Sequence, residues 1–448
     1  MHYIPNSAPI EQSILESIGV ASFSELLSAI PADLLAKCRI NLPPSLSEPE
    51  LVRHMSTLAA RNRSTSECIS FIGGGAYDHF IPAAVDFLVG RSEFYTAYTP
   101  YQPEVSQGTL QAIYEYQSMM CHLMGMDVAN ASMYDGATAL AEAILMALSE
   151  PRKNKILVSR LCHPATLEVL QTYLHNRNSR IDYLPEKEGR LDLSTLASLI
   201  DDNTAAVVVQ TPNYLGNLED LDGVTSLCES SQALLILSVD PLSLGMLRSP
   251  GEWGAHIAVA EGQPLGIHQS FGGPYLGIFT ARKSLIRRMP GRIVGETVDL
   301  DGKRGYVLVL QTREQHIRRE RATSNICTNQ GLMALSSTIY LALMGKNGLK
   351  KAAALCFANS HYLAEKIGGL KGFTLAYPNT AFFKEFAVRT PIEPAEIIRQ
   401  GVTAGFLSGI DLGSTRPEWQ NHLLIAVTEK RSRAELDQFV DFLSRFTK

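Results

Sequence analysis

Short apolar runs alternate with amphipathic stretches between about residue 150 and residue 281. The runs are rich in Val, Ile and Leu and do not alternate strictly with polar residues, which is typical of strands buried on both faces of a parallel sheet. They are NKILVS, RIDYLP, TAAVVVQT, ALLILSVD, HIAVAE and YLGIFTAR. Stretches such as HPATLEVLQTYLHN lie between them and have helical spacing. The pattern predicts an α/β architecture, in which helices cover a mostly parallel sheet.

The two ends of the chain have different patterns. Residues 1–65 are predicted to form short helices, and Pro49 falls in the first turn of one of them, where its missing N–H costs little. The C-terminal part contains a long helical run, then two or three strands with covering helices. We therefore expect an N-terminal helical arm at 1–65, a large α/β domain at 66–330 and a small C-terminal α+β domain at 331–448.

Composition narrows the class of protein. Of the 448 residues, 45% are apolar and 19% are charged, and the net charge of -5 gives no electrostatic footprint for nucleic acid. The seven cysteines are scattered singly without a CxxC pair, which predicts reduced thiols and no metal site. Neither a signal peptide nor a long uncharged apolar segment is recognisable, so we expect a cytoplasmic protein without a membrane partner.

Polar residues follow several of the predicted strands, at the edge where open α/β sheets bind ligands. They are Asp135-Gly136-Ala137-Thr138, His163, Asn213, Asp240 and His268-Gln269-Ser270. The first group leads into an Ala-rich helix, whose free N–H groups suit a phosphate or a carboxylate; alternatively, Asp135 simply caps the helix. Upstream, the run Gly73-Gly74-Gly75 is expected to form a backbone turn, with a ligand contact as the alternative.

Two further segments carry unusual side chains. Residues 95–108, YTAYTPYQPEVSQG, place tyrosines between prolines that fix their directions, and surface aromatic packing is the simplest interpretation. Residues 312–332 are basic and have few acidic neighbours. The basic residues of this segment are Arg313, His316, Arg318, Arg319 and Arg321. They form either a solvated charged face or a site for an anion or another subunit.

The order of the polar residues resembles the large domain of fold-type I pyridoxal phosphate enzymes. In that class a helix start holds the phosphate, an Asp pairs with the pyridine nitrogen, and a Lys roughly 20 to 30 residues later forms the Schiff base. Asp240 and Gln269 have this spacing, 29 residues apart. Because a primary amide cannot form the imine, we expect no covalently bound cofactor on this chain.

Several longer motifs are more specific. The motifs YTPYQPEVSQG, ANASMYDGATALAEA, SPGEWGAHIAVAEGQPLG, FGGPYLGIFTARKSLIRRMPGRIVGET and LQTREQHIRRERATSNICTNQ resemble the glycine decarboxylase P-protein family over nearly the whole chain. The resemblance is to the N-terminal half, which some bacteria and archaea make as a separate subunit 1 (alpha). In that family the second subunit carries the cofactor lysine in a His-Lys-Thr-like motif, and His268-Gln269-Ser270 stands at the corresponding place here.

The resemblance implies a heteromeric glycine dehydrogenase (aminomethyl-transferring) of the glycine cleavage system. With a lysine-bearing subunit 2 (beta), which binds pyridoxal 5'-phosphate covalently, it decarboxylates glycine and passes the aminomethyl group to the lipoyl arm of the H-protein. This chain is then expected to hold no catalytic residue and no cofactor of its own. Two alternatives are a self-sufficient pyridoxal phosphate decarboxylase or transaminase with a displaced lysine, and a non-catalytic scaffold that docks a lipoyl carrier.

The resemblance also sorts the candidate residues into two groups. Those expected at or near the partner's active site are Tyr98, Tyr101, Gln102, Arg313, His316, Arg318, Arg319 and Asn325. Those expected to form a vestigial cofactor pocket are Asp135, Gly136, Thr138, His163, Asp240, His268 and Gln269. Gln269 is the most discriminating of these residues, since a lysine at that position would predict a catalytic subunit, whereas a glutamine predicts the partner of one.

Overall fold

The computed structural model describes residues 6–39, 41–149, 153–270, 272–326 and 328–447. The chain forms two compact units, residues 1–63 and 64–448. The domain boundaries that we place after residues 65 and 330 remain predictions. Cys327 and the first five residues of the predicted arm lie outside the described residues.

The first unit is built of short helices, as its sequence pattern predicts. They are α1 (Ala8–Ile18), α2 (Phe23–Leu26), α3 (Ala32–Lys37) and α4 (Glu48–Ala59). Helix α1 ends at Gly19, whose φ of 80° is readily available only to glycine. Helix α4 begins after Ser47, whose backbone N–H donates to the Glu50 carboxylate at 2.9 Å, and Pro49 lies in its first turn.

The second unit contains the sheets and the remaining helices. The helices are α5 (Ala83–Val89), α6 (Ser92–Tyr95), α7 (Gln107–Met124), α8 (Gly136–Ala147), α9 (Pro164–Leu174), α10 (Leu193–Leu199), α11 (Leu221–Ser231), α12 (Gln315–Arg318), α13 (Gly331–Gly368), α14 (Pro394–Ala404) and α15 (Arg433–Ser444). Helix α13 is broken at Gly345, where φ is 57°. No helix in the described ranges is both long and apolar enough to cross a lipid bilayer.

The strands of this unit vary in length from two to eight residues. They are β1 (Ile69–Ser70), β2 (Val128–Ala129), β3 (Lys155–Ser159), β4 (Arg180–Leu184), β5 (Glu186–Lys187), β6 (Arg190–Leu191), β7 (Thr204–Thr211), β8 (Leu234–Val239), β9 (Ile257–Glu261), β10 (Gly277–Ala281), β11 (Ile293–Val298), β12 (Arg304–Val309), β13 (Thr374–Leu375), β14 (Glu385–Arg389), β15 (Phe406–Leu407), β16 (Ile410–Asp411) and β17 (His422–Ala426).

The central sheet has seven strands in the order β2-β10-β9-β8-β7-β3-β4. The five strands from β9 to β4 are parallel, while β10 runs antiparallel to β9 and to β2. The predicted α/β class with a mostly parallel sheet is therefore confirmed. Parallel strands end at one common edge, so the residues that follow β7, β8 and β9 are brought close together.

Both faces of the central sheet are buried, which explains the lack of alternation in the sequence. Along β3, Leu157 packs into one core, whereas Ile156 and Val158 pack into the other. The first core includes side chains of α7, α11 and α13, and the second includes side chains of α8 and α9. Successive side chains of a strand point to opposite faces, so apolar residues are favoured on both faces of these strands.

The C-terminal part contains a separate antiparallel sheet in the order β13-β14-β17-β16. It has four strands, whereas the sequence predicts two or three. Its core holds a cluster of aromatic residues, in which the rings of Phe71 and Phe439 stack with centroids 4.0 Å apart. Strand β14 begins directly after Lys384, so this sheet determines where that lysine lies.

Candidate functional site: a cavity at the carboxyl ends of the parallel strands

A cavity of about 350 Å³ lies at the carboxyl ends of β7, β8 and β9. The sheet contributes Gln210, Asp240 and Glu261 to its wall, and the start of α8 contributes Asp135 and Gly136. Two segments from elsewhere complete it, 74–77 and 383–385. The cavity therefore combines the sheet edge predicted from the sequence with residues at the start of β14 that the sequence did not point to.

The carboxylate of Glu261 lies at the N-terminus of α8. Its Oε2 accepts the Gly136 N–H at 3.0 Å, and its Oε1 accepts the N–H groups of Gln263 at 3.0 Å and Leu276 at 3.1 Å. A Cβ built on Gly136 would be 2.9 Å from the Glu261 nitrogen, so only glycine permits this approach. Burial raises the pKa of Glu261 to about 7, against the three N–H groups, which favour the carboxylate.

Asp240 follows β8 and is paired with Lys384. Lys384 Nζ lies 2.8 Å from Asp240 Oδ2, and the two side chains are 2% and 10% exposed. Lys384 Nζ also donates to His79 Nε2 at 2.9 Å and lies 3.4 Å from the centroid of the Tyr77 ring. Asp240 Oδ1 accepts the Leu242 N–H at 3.0 Å. The ammonium and the carboxylate therefore satisfy each other inside the cavity wall.

The buried charges continue away from the cavity through His79. Because its Nε2 accepts from Lys384, its Nδ1 carries the proton and donates to Glu429 Oε2 at 2.7 Å. Burial and the nearby Lys384 lower the pKa of His79, so the ring is neutral at pH 7. Cys356 Sγ also donates to Glu429 Oε2 at 3.2 Å. The ligand atoms of His79, Cys356 and Glu429 lie within 4.8 Å of one another, beside the Lys384 ammonium.

Glu385, the residue after Lys384, holds the glycine run in place. Its Oε1 accepts the Gly74 N–H at 2.7 Å, and its Oε2 accepts the Tyr77 hydroxyl at 2.6 Å. A Cβ on Gly73 would be 2.1 Å from Glu385 Oε1, so the glycine allows the carboxylate to approach. Burial raises the pKa values of both Glu385 and Tyr77. The glycine run therefore forms a tightly packed backbone turn, although Gly74 and Gly75 also face the cavity.

The structure places only some of the predicted pocket residues around the cavity. Asp135 caps α8 by accepting the Thr138 N–H at 2.8 Å and also faces the cavity. His163 lines the cavity, with its ring edge against Tyr214 at a centroid distance of 4.9 Å, and burial lowers its pKa. Asn213 is buried and donates to Glu219 Oε1 at 2.7 Å.

The segment of greatest interest in the sequence lies on the loop between β9 and β10. His268 is exposed and its Nε2 lies 3.0 Å from both carboxylate oxygens of Asp86. Gln269 is partly buried but does not belong to the described residues that line the cavity. Gly272 and Tyr275, further along the same loop, do line it. The correspondence of Gln269 to a cofactor lysine therefore remains a prediction.

The tyrosine loop is strongly exposed. Tyr98 has 81% of its surface exposed and Tyr101 has 51%. The Tyr101 hydroxyl accepts a hydrogen bond from Arg292 Nη2 at 2.9 Å, and Arg292 is buried. Gln102 is exposed beside them. The loop is thus anchored at Tyr101 and presents Tyr98 and Gln102 outward.

The basic segment divides into one buried and several exposed residues. Arg313 is buried, and its guanidinium donates to the backbone carbonyls of Leu310, Met289 and Gly291. The exposed ones are His316, Arg318, Arg319 and Asn325. Arg319 has φ of 55°, an uncommon value for a residue other than glycine. Arg313 therefore holds the segment to the unit, while its exposed neighbours are available for other contacts.

Three charged residues that were not predicted from the sequence dominate the cavity, namely Glu261, Lys384 and Glu385. Lys384 and Glu385 stand inside the run AFFKEFAVRT, and Glu261 ends HIAVAE. A charge within an apolar run is a usable signal, because burying it requires a partner or a hydrogen-bonding shell. The side chain that pairs with such a buried charge cannot be predicted from the local sequence.

A fold-type I site requires a lysine amine, free N–H groups at a helix start and an Asp available to the pyridine nitrogen. Here Glu261 already accepts the Gly136 N–H, Lys384 already holds Asp240, and residue 269 is an amide. The residues of this cavity therefore do not fit pyridoxal phosphate as they stand.

Solved structures of low sequence identity share the fold of this chain. The sphingosine-1-phosphate lyase of Burkholderia pseudomallei K96243 superposes with a TM-score of 0.66 at 13% identity, over 91% of this chain and 92% of its own. A Lactobacillus brevis glutamate decarboxylase gives the same TM-score at 11% identity. At these identities the likeness shows the fold alone, that of the fold-type I pyridoxal phosphate enzymes.

Closer relatives identify the family. The family model described as glycine cleavage system P-protein matches residues 1–443, and the chain belongs to that family. The "Probable glycine dehydrogenase (decarboxylating) subunit 1" of Chlorobium chlorochromatii is 52% identical over 99% of both chains, and that of Moorella thermoacetica is 50% identical over 98% of both. A crystal structure of glycine decarboxylase (P-protein) superposes with a TM-score of 0.91 at 41% identity, covering both chains fully. The family predicted from the sequence is confirmed.

Proposed function

We propose that this chain is subunit 1 of a two-subunit glycine dehydrogenase (decarboxylating). A lysine-bearing subunit 2 would bind pyridoxal phosphate, and the assembled enzyme would decarboxylate glycine and transfer the aminomethyl group to the lipoyl group of the H-protein. Relatives of matching length that are named subunit 1 support this assignment. The free thiols of the six described cysteines favour the cytoplasm as its location.

The observation that carries the assignment of the cofactor to the partner is the pairing of Lys384 with Asp240. In a fold-type I enzyme that binds pyridoxal phosphate, the corresponding Asp carboxylate holds the pyridine nitrogen of the cofactor. Here an ammonium takes its place at 2.8 Å, so the carboxylate is engaged before any cofactor arrives. A subunit built in this way is suited to complete another chain's active site.

Exposed residues near a second cavity are the best candidates for contact with the partner. This cavity of about 330 Å³ lies between the tyrosine loop and the start of α13, and Tyr98, Asn329 and Gln330 line it. The amide side chains and the exposed tyrosine offer hydrogen bonds without a charge that would have to be desolvated. Asn329 and Gln330, which line this cavity together with Tyr98, therefore join the interface candidates.

Lys384 also supports a second function, because it is the one lysine among the described residues that line the first cavity. A self-sufficient pyridoxal phosphate enzyme with a displaced lysine would have to use it. The geometry disfavours this role, since the amine that forms the imine and the Asp that binds the pyridine nitrogen act at opposite ends of the cofactor ring. Lys384 Nζ lies directly on Asp240 instead.

The experiment is to locate the cofactor chemically. The purified chain, the purified partner and their complex are incubated with pyridoxal phosphate and reduced with borohydride, and the modified peptides are identified by mass spectrometry. We expect a pyridoxyl-lysine on the partner and none on this chain. Stoichiometric modification of Lys384 would establish the self-sufficient enzyme in place of our proposal.

A further inference from the structure

The two charged ends of pyridoxal phosphate make opposite demands on a binding site. The phosphate needs N–H donors, commonly at a helix N-terminus, and the protonated pyridine nitrogen needs a carboxylate. This chain still has both, in the start of α8 and in Asp240, and both border the same cavity. In this chain, however, both the start of α8 and Asp240 are already bound by side chains of the same chain.

Glu261 occupies the N–H donor that a phosphate would need. Its carboxylate accepts the Gly136 N–H at the positive end of α8, where an anion is favoured by the helix dipole. Two more N–H groups, of Gln263 and Leu276, hold it there. The contact depends on glycine at position 136, because a Cβ there would clash with the Glu261 backbone.

Lys384 occupies the carboxylate that a protonated pyridine nitrogen would need. Its ammonium contacts Asp240 and is also held by His79 Nε2 and by the face of the Tyr77 ring. The lysine directly precedes β14 of the C-terminal sheet, whereas Asp240 follows β8 of the central sheet. The ion pair therefore also fastens one sheet to the other.

We infer that Glu261 and Lys384 are internal substitutes for the phosphate and the pyridinium of the cofactor, and that they determine which subunit leaves the cofactor site unused. The inference rests on the proposed function insofar as the partner binds the cofactor. It concerns the pocket of this chain alone, so it can be tested without the partner. A ligand of this class has to displace both side chains and leave two charges without their present partners.

The test measures binding of pyridoxine 5'-phosphate to the isolated full-length chain by calorimetry. This probe has the phosphate and the pyridine ring but no aldehyde, so it cannot react with surface lysines. We compare the wild type with Glu261→Ala, Lys384→Met and the double variant. The double variant is expected to bind at least about tenfold more tightly than the wild type, equivalent to about 1.4 kcal/mol.

Pyridoxine, which lacks the phosphate, separates the two roles. Glu261→Ala should improve binding of the phosphorylated probe only, whereas Lys384→Met should improve binding of both. Glu219→Ala is the matched control, because Glu219 is also a buried carboxylate that accepts a backbone N–H, from Leu191 at 2.8 Å, but lies outside this cavity. It should leave binding of both probes unchanged.

Circular dichroism establishes that each variant is folded. If the double variant does not fold, Glu261→Ala alone is tested with inorganic phosphate, which should raise its thermal midpoint and leave that of the wild type unchanged. The inference is overturned if the wild type binds the phosphorylated probe as tightly as the double variant, or if the folded variants gain no affinity. Neither result depends on glycine turnover, so the proposed function is judged separately.

Discussion

Lys384 Nζ and Asp240 Oδ2 lie 2.8 Å apart in the wall of the cavity, with side chains that are 2% and 10% exposed. Each side chain loses its hydration in this position, and the attraction between them offsets that cost only while both are present. The same lysine is held by His79 and Tyr77. The pair thus links the central sheet, the C-terminal sheet and the segment that follows the glycine run.

Replacement of Lys384 by Met should destabilise the chain strongly. The change keeps most of the side-chain volume but leaves Asp240 without its cation, and the loss of one partner of a buried pair costs about 3 to 5 kcal/mol. Urea unfolding of the isolated chain measures the change in free energy of unfolding. Lys351→Met, at an exposed position of α13, is the matched control and should change it by no more than about 0.5 kcal/mol.

A second substitution separates charge from packing. Asp240→Asn in the Lys384→Met background removes the unpaired carboxylate, so the double variant should be more stable than Lys384→Met alone. Equal stability of the two would mean that the loss comes from packing of the lysine stem and not from the ion pair.

Glu142 should make the stability of the chain depend on pH. It lies on α8 with 1% of its surface exposed, and burial raises its pKa from 4.5 to about 7, against smaller opposing effects of Ser324 and Arg177. A carboxyl group with a raised pKa binds its proton more tightly in the folded state. Its contribution is therefore present at low pH and is lost as the pH rises from 4.5 to about 7.

Glu142→Gln should remove this dependence. At pH 8 the variant should be more stable than the wild type by up to about 3 kcal/mol, and the difference should shrink toward pH 4.5. Urea midpoints across this range provide the measurement, with the exposed Glu168→Gln on α9 as the control. A constant difference between variant and wild type at every pH would contradict the account. Glu219 and Glu261, whose pKa values burial also raises to about 7, keep part of the slope in all variants.

Exposed residues of the tyrosine loop and the basic segment should contribute to the activity of the complex but not to the stability of the isolated chain. Tyr98→Ala and Arg318→Ala change exposed side chains, so the free energy of unfolding should stay within about 0.5 kcal/mol of the wild type. Reconstituted activity should fall about tenfold or more, because aromatic and Arg side chains dominate interface energies. Titration with the partner shows whether the loss lies in affinity or in turnover.

The control for this prediction is Arg399→Ala on α14, an exposed arginine that pairs only locally with Glu396. It should leave both affinity and turnover unchanged. If Tyr98→Ala and Arg318→Ala also leave turnover unchanged at saturating H-protein, the chain acts as a docking scaffold, and its proposed part in the active site is wrong.

The fold was largely predictable because its signal is local. The runs that form β3, β7, β8 and β9 are mostly apolar, and their apolar residues do pack into one of two cores. Strand β16, with two residues, is too short to produce a pattern, so the C-terminal sheet has more strands than predicted. The antiparallel direction of β10 depends on its connection and not on its own residues.

The cavity was less predictable because its chemistry depends on residues distant in sequence. Asp135 stands at a predicted helix start and Asp240 follows a predicted strand, and both line the cavity. The residues that engage this site, Glu261 and Lys384, reach it through the folding of β9 and of the C-terminal sheet. Arg313 has few acidic neighbours in sequence, yet it is fully engaged by backbone carbonyls, which every residue carries and no pattern distinguishes.

The central claim is that this chain needs a lysine-bearing partner to act on glycine. The most direct measurement is release of labelled carbon dioxide from carboxyl-labelled glycine, with pyridoxal phosphate and lipoylated H-protein present. We expect no release above background from this chain alone or from the partner alone, and rapid release when they are mixed. Turnover by this chain alone would contradict the account, because it would require a working cofactor site where Lys384 now holds Asp240.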